Sequence, residues 1–139
     1  MKIEGIAHVG YTVRDMEKSL QFYCDGLGFQ KKFLLKNREG QPWIIYLEIA
    51  PKQFLELFYN LGQMQSAPAE YLGYRHLSLE VTGIKELEAD LRAKGIAVRV
   101  PPRLERDHTW QMWVDDPDGN PIEFHEYTAE SYQVVGKED

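Results

Sequence analysis

Cysteine is nearly absent from this sequence of 139 residues, which contains Cys24 and no other cysteine. A single cysteine cannot form a disulfide within the chain, so a disulfide scaffold is excluded. The near absence of cysteine fits a reducing compartment. Cys24 falls near the apolar stripe of a predicted helix, and we interpret it as a packing residue rather than a chemical one.

The sequence also lacks long hydrophobic runs and an excess of positive charge. No apolar stretch approaches the roughly 20 residues that cross a bilayer. The first residues have no basic region followed by an apolar one, so no signal peptide is predicted. Lys and Arg number 16 against 22 Asp and Glu, which gives a net charge of −6. An acidic surface repels phosphate backbones, so we expect no nucleic-acid partner. Without a long apolar run or a signal peptide, we also expect a cytoplasmic protein with no membrane partner.

What is present is an order of elements that occurs twice. Hydrophobic residues make up 43% of the chain and charged residues 27%, a composition typical of one globular domain, 1–139. Alternation, helical spacing and turn residues predict strand, helix and three strands in each half. The predicted elements of module 1 (3–60) are a strand 3–13, a helix 15–27 and strands 29–36, 43–49 and 53–59.

A linker, 61–73, separates this module from the second. The predicted elements of module 2 (74–127) are a strand 74–81, a helix 84–94 and strands 97–100, 109–114 and 120–127, before a frayed or loosely docked tail, 128–139. The fold class is therefore predicted to be α+β, with two βαβββ modules that form a cupped mixed sheet.

The duplication also places chemistry at matched positions. His8 and His76 are 68 positions apart, and Glu56 and Glu123 are 67 apart. Each half thus carries a histidine on its first strand and a glutamate on its last. Glu56 is flanked by two phenylalanines, and an acid that breaks an apolar pattern is often functional.

If the halves pair, four groups converge on one sheet face. Two partly buried carboxylates without a partner cost several kcal/mol each, on the order of the desolvation penalty of an ion. Two imidazoles and two carboxylates around a divalent ion remove that cost. Mixed nitrogen and oxygen ligands suit Zn, Ni, Co, Fe(II) or Mn. The sequence therefore predicts one divalent metal ion per site, with His8, Glu56, His76 and Glu123 as ligands.

Several segments resemble the vicinal-oxygen-chelate superfamily over residues 3–127: HVGYTV, HLSLEV, RDMEKSLQFYCDGLGF and DPDGNPIEFHE. The segment FLELFYN is similar to a strand of bacterial glyoxalase I that carries a metal-binding glutamate and then an asparagine, which maps onto Glu56 and Asn60. The resemblance implies the same four metal ligands, a small-molecule substrate that chelates the metal, and a homodimer. The site can be intrachain or shared between the two chains.

The resemblance implies a metal-dependent lyase or isomerase that removes a proton next to a chelated carbonyl. Glu123 is the first candidate for the catalytic base and Glu56 the second. Glutathione recognition is less well supported, because Thr12 occupies the position of the family's glutathione-binding arginine and a different loop, 101–108, precedes the last hairpin. Asn60, His125, Arg103 and Trp113 are candidate substrate-binding residues, and Arg103 and Arg106 are candidates to hold a different anion.

Two alternatives remain open from the sequence. An Fe(II) ring-cleaving dioxygenase would use His8, His76 and Glu123 alone, as a facial triad with room for oxygen; Glu56 counts against it. A non-catalytic binding protein similar to the bleomycin-binding members of the superfamily is the other. The full ligand set counts against that alternative. His125 is equally well interpreted as a rim residue, and His108 as a solvated loop residue.

Overall fold

The computed structural model describes residues 4–62 and 72–136. The chain divides into two compact units, Met1–Tyr71 and Leu72–Asp139, and each is described by itself. Most of the predicted linker 61–73 lies outside the described residues. Within the described ranges, no helix is long and apolar enough to span a membrane.

Unit 1 contains one four-stranded mixed sheet. Its elements are β1 (His8–Val13), α1 (Met16–Leu20) with a π-helical turn (Gln21–Gly26), β2 (Gln30–Lys36), β3 (Pro42–Ala50) and β4 (Gln53–Tyr59). The strand order is β1-β4-β3-β2, with β1 parallel to β4 and the other pairs antiparallel.

Unit 2 contains a second sheet with the corresponding order, β5-β8-β7-β6. Its elements are β5 (Leu77–Glu80), α2 (Ile84–Ala93), β6 (Val98–Leu104), β7 (Trp110–Asp115), β8 (Pro121–Glu126) and a short α3 (Tyr132–Val135). As in unit 1, the first strand of the unit is parallel to its last strand, here β5 to β8, and the remaining pairs are antiparallel. The predicted α+β class and the two βαβββ modules are confirmed.

The apolar core of each unit lies on one face of its sheet. In unit 1, Leu55 and Leu57 of β4 are fully buried, as is Tyr23 of the π-helical turn. In unit 2, Ile122 of β8 and Leu91 of α2 are fully buried. Neighbouring residues along a strand point to opposite faces, so Glu56 and Glu123 lie on the faces away from these cores.

The first strand of each unit is shorter than predicted. Residues 4–7 and 74–76 are not in strands, and pairing begins at His8 and Leu77. In the parallel pairings His8 is opposite Phe54 and Leu77 is opposite Ile122, and before His8 the carbonyl of Ala7 accepts the N–H of Phe54 at 3.0 Å. His76 therefore lies directly before its strand rather than within it.

The first helix is also irregular. Instead of one α-helix up to residue 27, only five residues are α-helical before the chain widens into the π-helical turn. Asp15 caps the start as predicted, because its carboxylate accepts the backbone N–H of Lys18. The end of the turn brings Tyr23 into a stacked contact with Phe29, at 5.8 Å between ring centroids.

The segment predicted as a loop, 101–108, is strand up to Leu104. Proline is tolerated there because β6 is an edge strand, where one row of backbone N–H groups needs no partner. The two prolines coincide with a register shift between Val100 and Arg103. The loop interpretation of Arg103 was therefore wrong, since this residue pairs with Gln111 of β7.

The tail is docked up to residue 136 rather than frayed. Ser131 is fully buried and its hydroxyl donates to the backbone carbonyl of His108 at 2.9 Å. Gln133 donates to Asp107 at 2.6 Å, and the Tyr132 N–H donates to the carbonyl of that residue. These polar contacts explain why hydrophobic spacing did not predict the docking.

Glu126, at the end of β8, caps α2 from a distance in sequence. Its two carboxylate oxygens accept the N–H groups of Ile84 at 2.9 Å and Gly83 at 3.0 Å, and these bonds hold the pKa of Glu126 below its ordinary value. The Glu126→Ala variant is expected to lose about 1 kcal/mol of unfolding free energy at neutral pH, as for the loss of a helix cap. Denaturant unfolding measures this, with the exposed Glu130→Ala as control.

The sign of the pH dependence follows from the lowered pKa. The capping contribution is fully present above the unfolded glutamate pKa of about 4.3 and is lost as the pH falls through the lower folded value. The difference between wild type and Glu126→Ala should therefore shrink in acid. A difference that stays constant down to pH values well below about 4 would contradict the capping role.

Candidate metal site

Unit 1 places His8 against Glu56 on the exposed face of its sheet. In the parallel pairing of β1 and β4, His8 is opposite Phe54 and Gly10 is opposite Glu56. The His8 Nε2 lies 3.6 Å from the Glu56 Oε2, with 50% of the histidine side chain exposed and 8% of the glutamate. A half-exposed imidazole thus faces a nearly buried carboxylate.

Gly10 leaves space for the ring of Phe58 beside this carboxylate. A Cβ at this position would lie 3.1 Å from Cε2 of Phe58 and 3.5 Å from the Glu56 Oε2. The first of these distances is tighter than an ordinary van der Waals contact. The missing side chain therefore accommodates the Phe58 ring, and a Cβ there would make only an ordinary contact with Glu56.

Tyr46 faces Glu56 from the other side. The two residues are directly opposite each other in the antiparallel pairing of β3 and β4. The hydroxyl of Tyr46 donates a hydrogen bond to Glu56, and this bond, with partial burial and the nearby negative charge, raises the pKa of Tyr46. The carboxylate of Glu56 therefore lies between a phenol and an imidazole.

Unit 2 repeats the histidine–glutamate pair with different surroundings. His76 Nε2 lies 3.3 Å from Glu123 Oε2, and only 7% of the glutamate side chain is exposed. Ser78 and Trp113 are opposite Glu123 on its two neighbouring strands. The His76 ring contacts the Trp113 ring edge-on at 4.8 Å between centroids, so the tryptophan packs against the imidazole.

His125 contacts the same carboxylate oxygen of Glu123. Its Nε2 lies 2.9 Å from Oε2, and its side chain is 13% exposed. That nitrogen is buried and makes no hydrogen bond within the described residues. His125 therefore lies on the predicted face and is more buried than a rim residue.

The two pairs occupy equivalent places in the two sheets. Glu56 is flanked by Gly10 and Tyr46, and Glu123 by Ser78 and Trp113. The order of strands around each glutamate is the same. The sequence reasoning missed Tyr46 and Gly10 as neighbours of Glu56; the repeat offset of 67 that links Tyr46 to Trp113 is the signal that would have found the tyrosine.

Of the other predicted substrate-binding residues, Asn60 and Arg103 have partners of their own, and Trp113 takes part in the contact with His76. Asn60 follows β4, and its side-chain oxygen accepts the backbone N–H of Gly62 at 3.1 Å. Arg103 forms an ion pair with Glu105. Trp113 lies beside His76, where it supports the imidazole ring.

The donor set fits a divalent cation by its chemistry. Glu56 and Glu123 are nearly buried, and in the ranges that the structure describes the ion pairs they form are with histidines rather than with lysine or arginine. Histidine compensates the charge of a carboxylate only when it is protonated, whereas a bound divalent ion does so while the imidazole is neutral and acts as a ligand. No group of three or more candidate ligands is preassembled within the described residues, and each unit supplies its own histidine–glutamate pair.

Comparison with known proteins gives one consistent result. Residues 5–124 match the model of the Glyoxalase/Bleomycin resistance protein/Dioxygenase superfamily. The chain is 32% identical over 122 residues to a Synechocystis protein named probable lactoylglutathione lyase, covering 85% of this chain and 92% of that one. It is also 32% identical over 126 residues to catechol-2,3-dioxygenase of Bacillus subtilis, covering 85% of this chain but 41% of that one.

A solved structure agrees with the sequence comparisons. The glyoxalase family protein from Enterococcus faecalis superposes with a TM-score of 0.77 at 30% identity, covering 91% of this chain and all of that one. The family match extends over most of the chain, through both βαβββ modules and all four predicted ligand positions. The chain belongs to the Glyoxalase/Bleomycin resistance protein/Dioxygenase superfamily.

Proposed function

We propose that the protein is a divalent-metal-dependent lyase or isomerase of the glyoxalase I type. In this proposal His8, Glu56, His76 and Glu123 bind one ion of Zn, Ni, Co, Fe or Mn. The observation that carries it is the repeated pair: each module holds a histidine within 4 Å of a nearly buried glutamate at an equivalent register position. The relatives named as lactoylglutathione lyases support the same class of reaction.

The protein's own residues account for the proton transfer. When bound, the metal would polarise a substrate carbonyl and lower the barrier to removing a proton from the adjacent carbon. Glu123 accepts that proton from the carbon that bears a hydroxyl group and returns it to the former carbonyl carbon. The hydroxyl proton passes to the former carbonyl oxygen, so that the carbonyl and the hydroxyl exchange places. His8 and His76 act as neutral nitrogen ligands. Glu56 remains the second candidate for the base.

The substrate need not contain glutathione. Thr12, which replaces the family's glutathione-binding arginine, is exposed on β1 and carries no charge. Arg103 is already paired with Glu105. His125 and Trp113 are the better candidates for substrate contact, because His125 contacts Glu123 and Trp113 contacts His76. Asn60 is a weaker candidate, because its side-chain oxygen already accepts the N–H of Gly62. A cytoplasmic homodimer is part of this proposal.

The test is a screen of the metal-loaded protein against adducts that 2-oxoaldehydes form with glutathione and with other small thiols. Conversion of each adduct is measured by the change in its absorbance. We expect turnover that requires an added divalent metal, disappears with a chelator and returns on reloading. A His8→Gln/His76→Gln double variant is the matched control. Metal-independent turnover, or equal turnover by the double variant, would contradict the proposal.

A second candidate, an Fe(II) ring-cleaving dioxygenase, is favoured by the 32% identity to the Bacillus subtilis catechol-2,3-dioxygenase. It would use His8, His76 and Glu123 as ligands. Glu56 argues against it, because this fourth donor would occupy a position needed by oxygen or substrate. Oxygen consumption by the Fe(II)-loaded protein in the presence of catechol would establish this reaction instead of the first.

A further inference from the structure

An aromatic residue lies directly opposite each proposed glutamate ligand. Tyr46 is opposite Glu56 in one sheet, and Trp113 is opposite Glu123 in the other. The two aromatic residues are separated by the same 67 positions as the two glutamates. The repeat therefore keeps an aromatic side chain at this place, although the residue type differs.

The two aromatic residues contact different members of their pairs. The hydroxyl of Tyr46 donates to the carboxylate of Glu56. Trp113 has no hydroxyl to offer Glu123, and its ring packs instead against the imidazole of His76 at 4.8 Å. One half of the proposed site therefore supports its carboxylate, and the other half supports its histidine.

The ring of Tyr46 is itself held on two sides. Phe33 stacks on it with 4.3 Å between centroids and an angle of 19° between the planes. Phe54 meets it edge-on at 6.2 Å. Because an aromatic side chain has few rotatable bonds, two ring contacts are enough to fix where the hydroxyl points.

We propose that Tyr46 is a positioning residue that holds Glu56 in the orientation in which it binds the metal. The proposal rests on the metal-dependent function above. The hydrogen bond from the phenol restrains the rotation of the carboxylate. The Glu56 Oε2 lies 3.6 Å from the Nε2 of His8. Gly10 is opposite Glu56 on the other neighbouring strand, so the phenol is the one side chain at the two positions directly opposite Glu56 in the sheet.

This arrangement distinguishes the two glutamates. Glu56 is fixed by a neutral donor that does not compete with the metal for its charge. Glu123 lacks the equivalent phenol and contacts two imidazoles. Glu56 is accordingly the constant ligand, and Glu123 has the greater freedom to change its contacts during the reaction.

Tyr46→Phe tests the proposal, because it removes the hydroxyl and keeps the ring that stacks on Phe33. We expect the dissociation constant for Zn²⁺, measured by competition with a chromogenic chelator, to rise roughly 10- to 100-fold, as for the loss of a hydrogen-bonded partner of a metal ligand. The absorption spectrum of the Co²⁺-loaded protein should change as well. Tyr59→Phe is the control, since Tyr59 lies on β4 on the face away from Glu56 and its substitution should leave both measurements unchanged.

A double-mutant cycle separates positioning from a general effect on folding. In a Glu56→Gln background, Tyr46→Phe should change the Zn²⁺ affinity much less than in the wild type, because the residue through which it acts is already altered. Equal effects in both backgrounds would overturn the proposal, as would a Tyr46→Phe protein that binds Zn²⁺ as tightly as the wild type. If the wild type itself binds no divalent metal, the proposed function fails, and the role of Tyr46 fails with it.

Discussion

Replacing Glu123 with glutamine is expected to lower the turnover number of the metal-saturated protein by roughly 10²- to 10⁴-fold, the usual contribution of a general base. Glutamine keeps an oxygen that can bind the metal but cannot accept a proton from carbon. The assay should therefore be made at saturating metal, so that weaker binding is separated from slower chemistry. Steady-state kinetics on the best substrate of the screen provides the measurement.

Two variants make this result specific. Glu80→Gln changes an exposed glutamate of β5 that lies opposite His125, and turnover should stay at the wild-type value. Glu56→Gln should mainly weaken metal binding, because Glu56 is assigned as a ligand held by Tyr46. Unchanged turnover in Glu123→Gln would exclude Glu123 as the base, and a larger loss in Glu56→Gln at saturating metal would assign the base to Glu56.

The second large effect concerns stability. A ligand that binds the folded state but not the unfolded chain stabilises the protein by about 4 kcal/mol at a thousandfold excess over its dissociation constant. For a chain of this size we expect a rise in the unfolding midpoint on the order of 10 °C when Zn²⁺ is added to metal-free protein. Thermal unfolding with and without a chelator measures the shift.

Histidine variants locate the origin of this stabilisation. His8→Gln and His76→Gln should each remove most of the Zn²⁺-induced shift, because each deletes one of the four proposed ligands. His108→Asn is the control: His108 lies in a turn with a positive φ of 58°, which asparagine tolerates, and belongs to neither pair. A full shift in either ligand variant, or its loss in His108→Asn, would contradict the assignment.

The sequence predicted those parts of the structure that follow from local periodicity and duplication. Alternation along β4 and β8 placed Glu56 and Glu123 away from the cores, and the two sheets confirm that placement because the adjacent leucines and isoleucine are buried. The repeat predicted a histidine on the first strand and a glutamate on the last strand of each module, and in both units these two residues lie in short contact. Neither result required knowledge of pairing between distant strands.

The features that the sequence did not predict depend on such pairing or on polar contacts. The pairing of β1 with β4, in which His8 is opposite Phe54, joins distant parts of the chain, and the extension of β6 through two prolines is possible only at a sheet edge. The hydrogen bond from Tyr46 depends on the register of β3 against β4, which no local pattern encodes. The capping of α2 by Glu126 links residues more than 40 positions apart, and docking of the tail rests on side chains such as Ser131 rather than on an apolar stripe.

The central claim is that both histidine–glutamate pairs serve one divalent ion. The most direct measurement is elemental analysis of protein purified without chelator, combined with a Zn²⁺ titration of the wild type, Glu56→Gln and Glu123→Gln. We predict one ion per chain in the wild type and weakened binding of that same ion in both variants. Absence of any bound or bindable ion, or two independent ions of which each variant loses a different one, would contradict it.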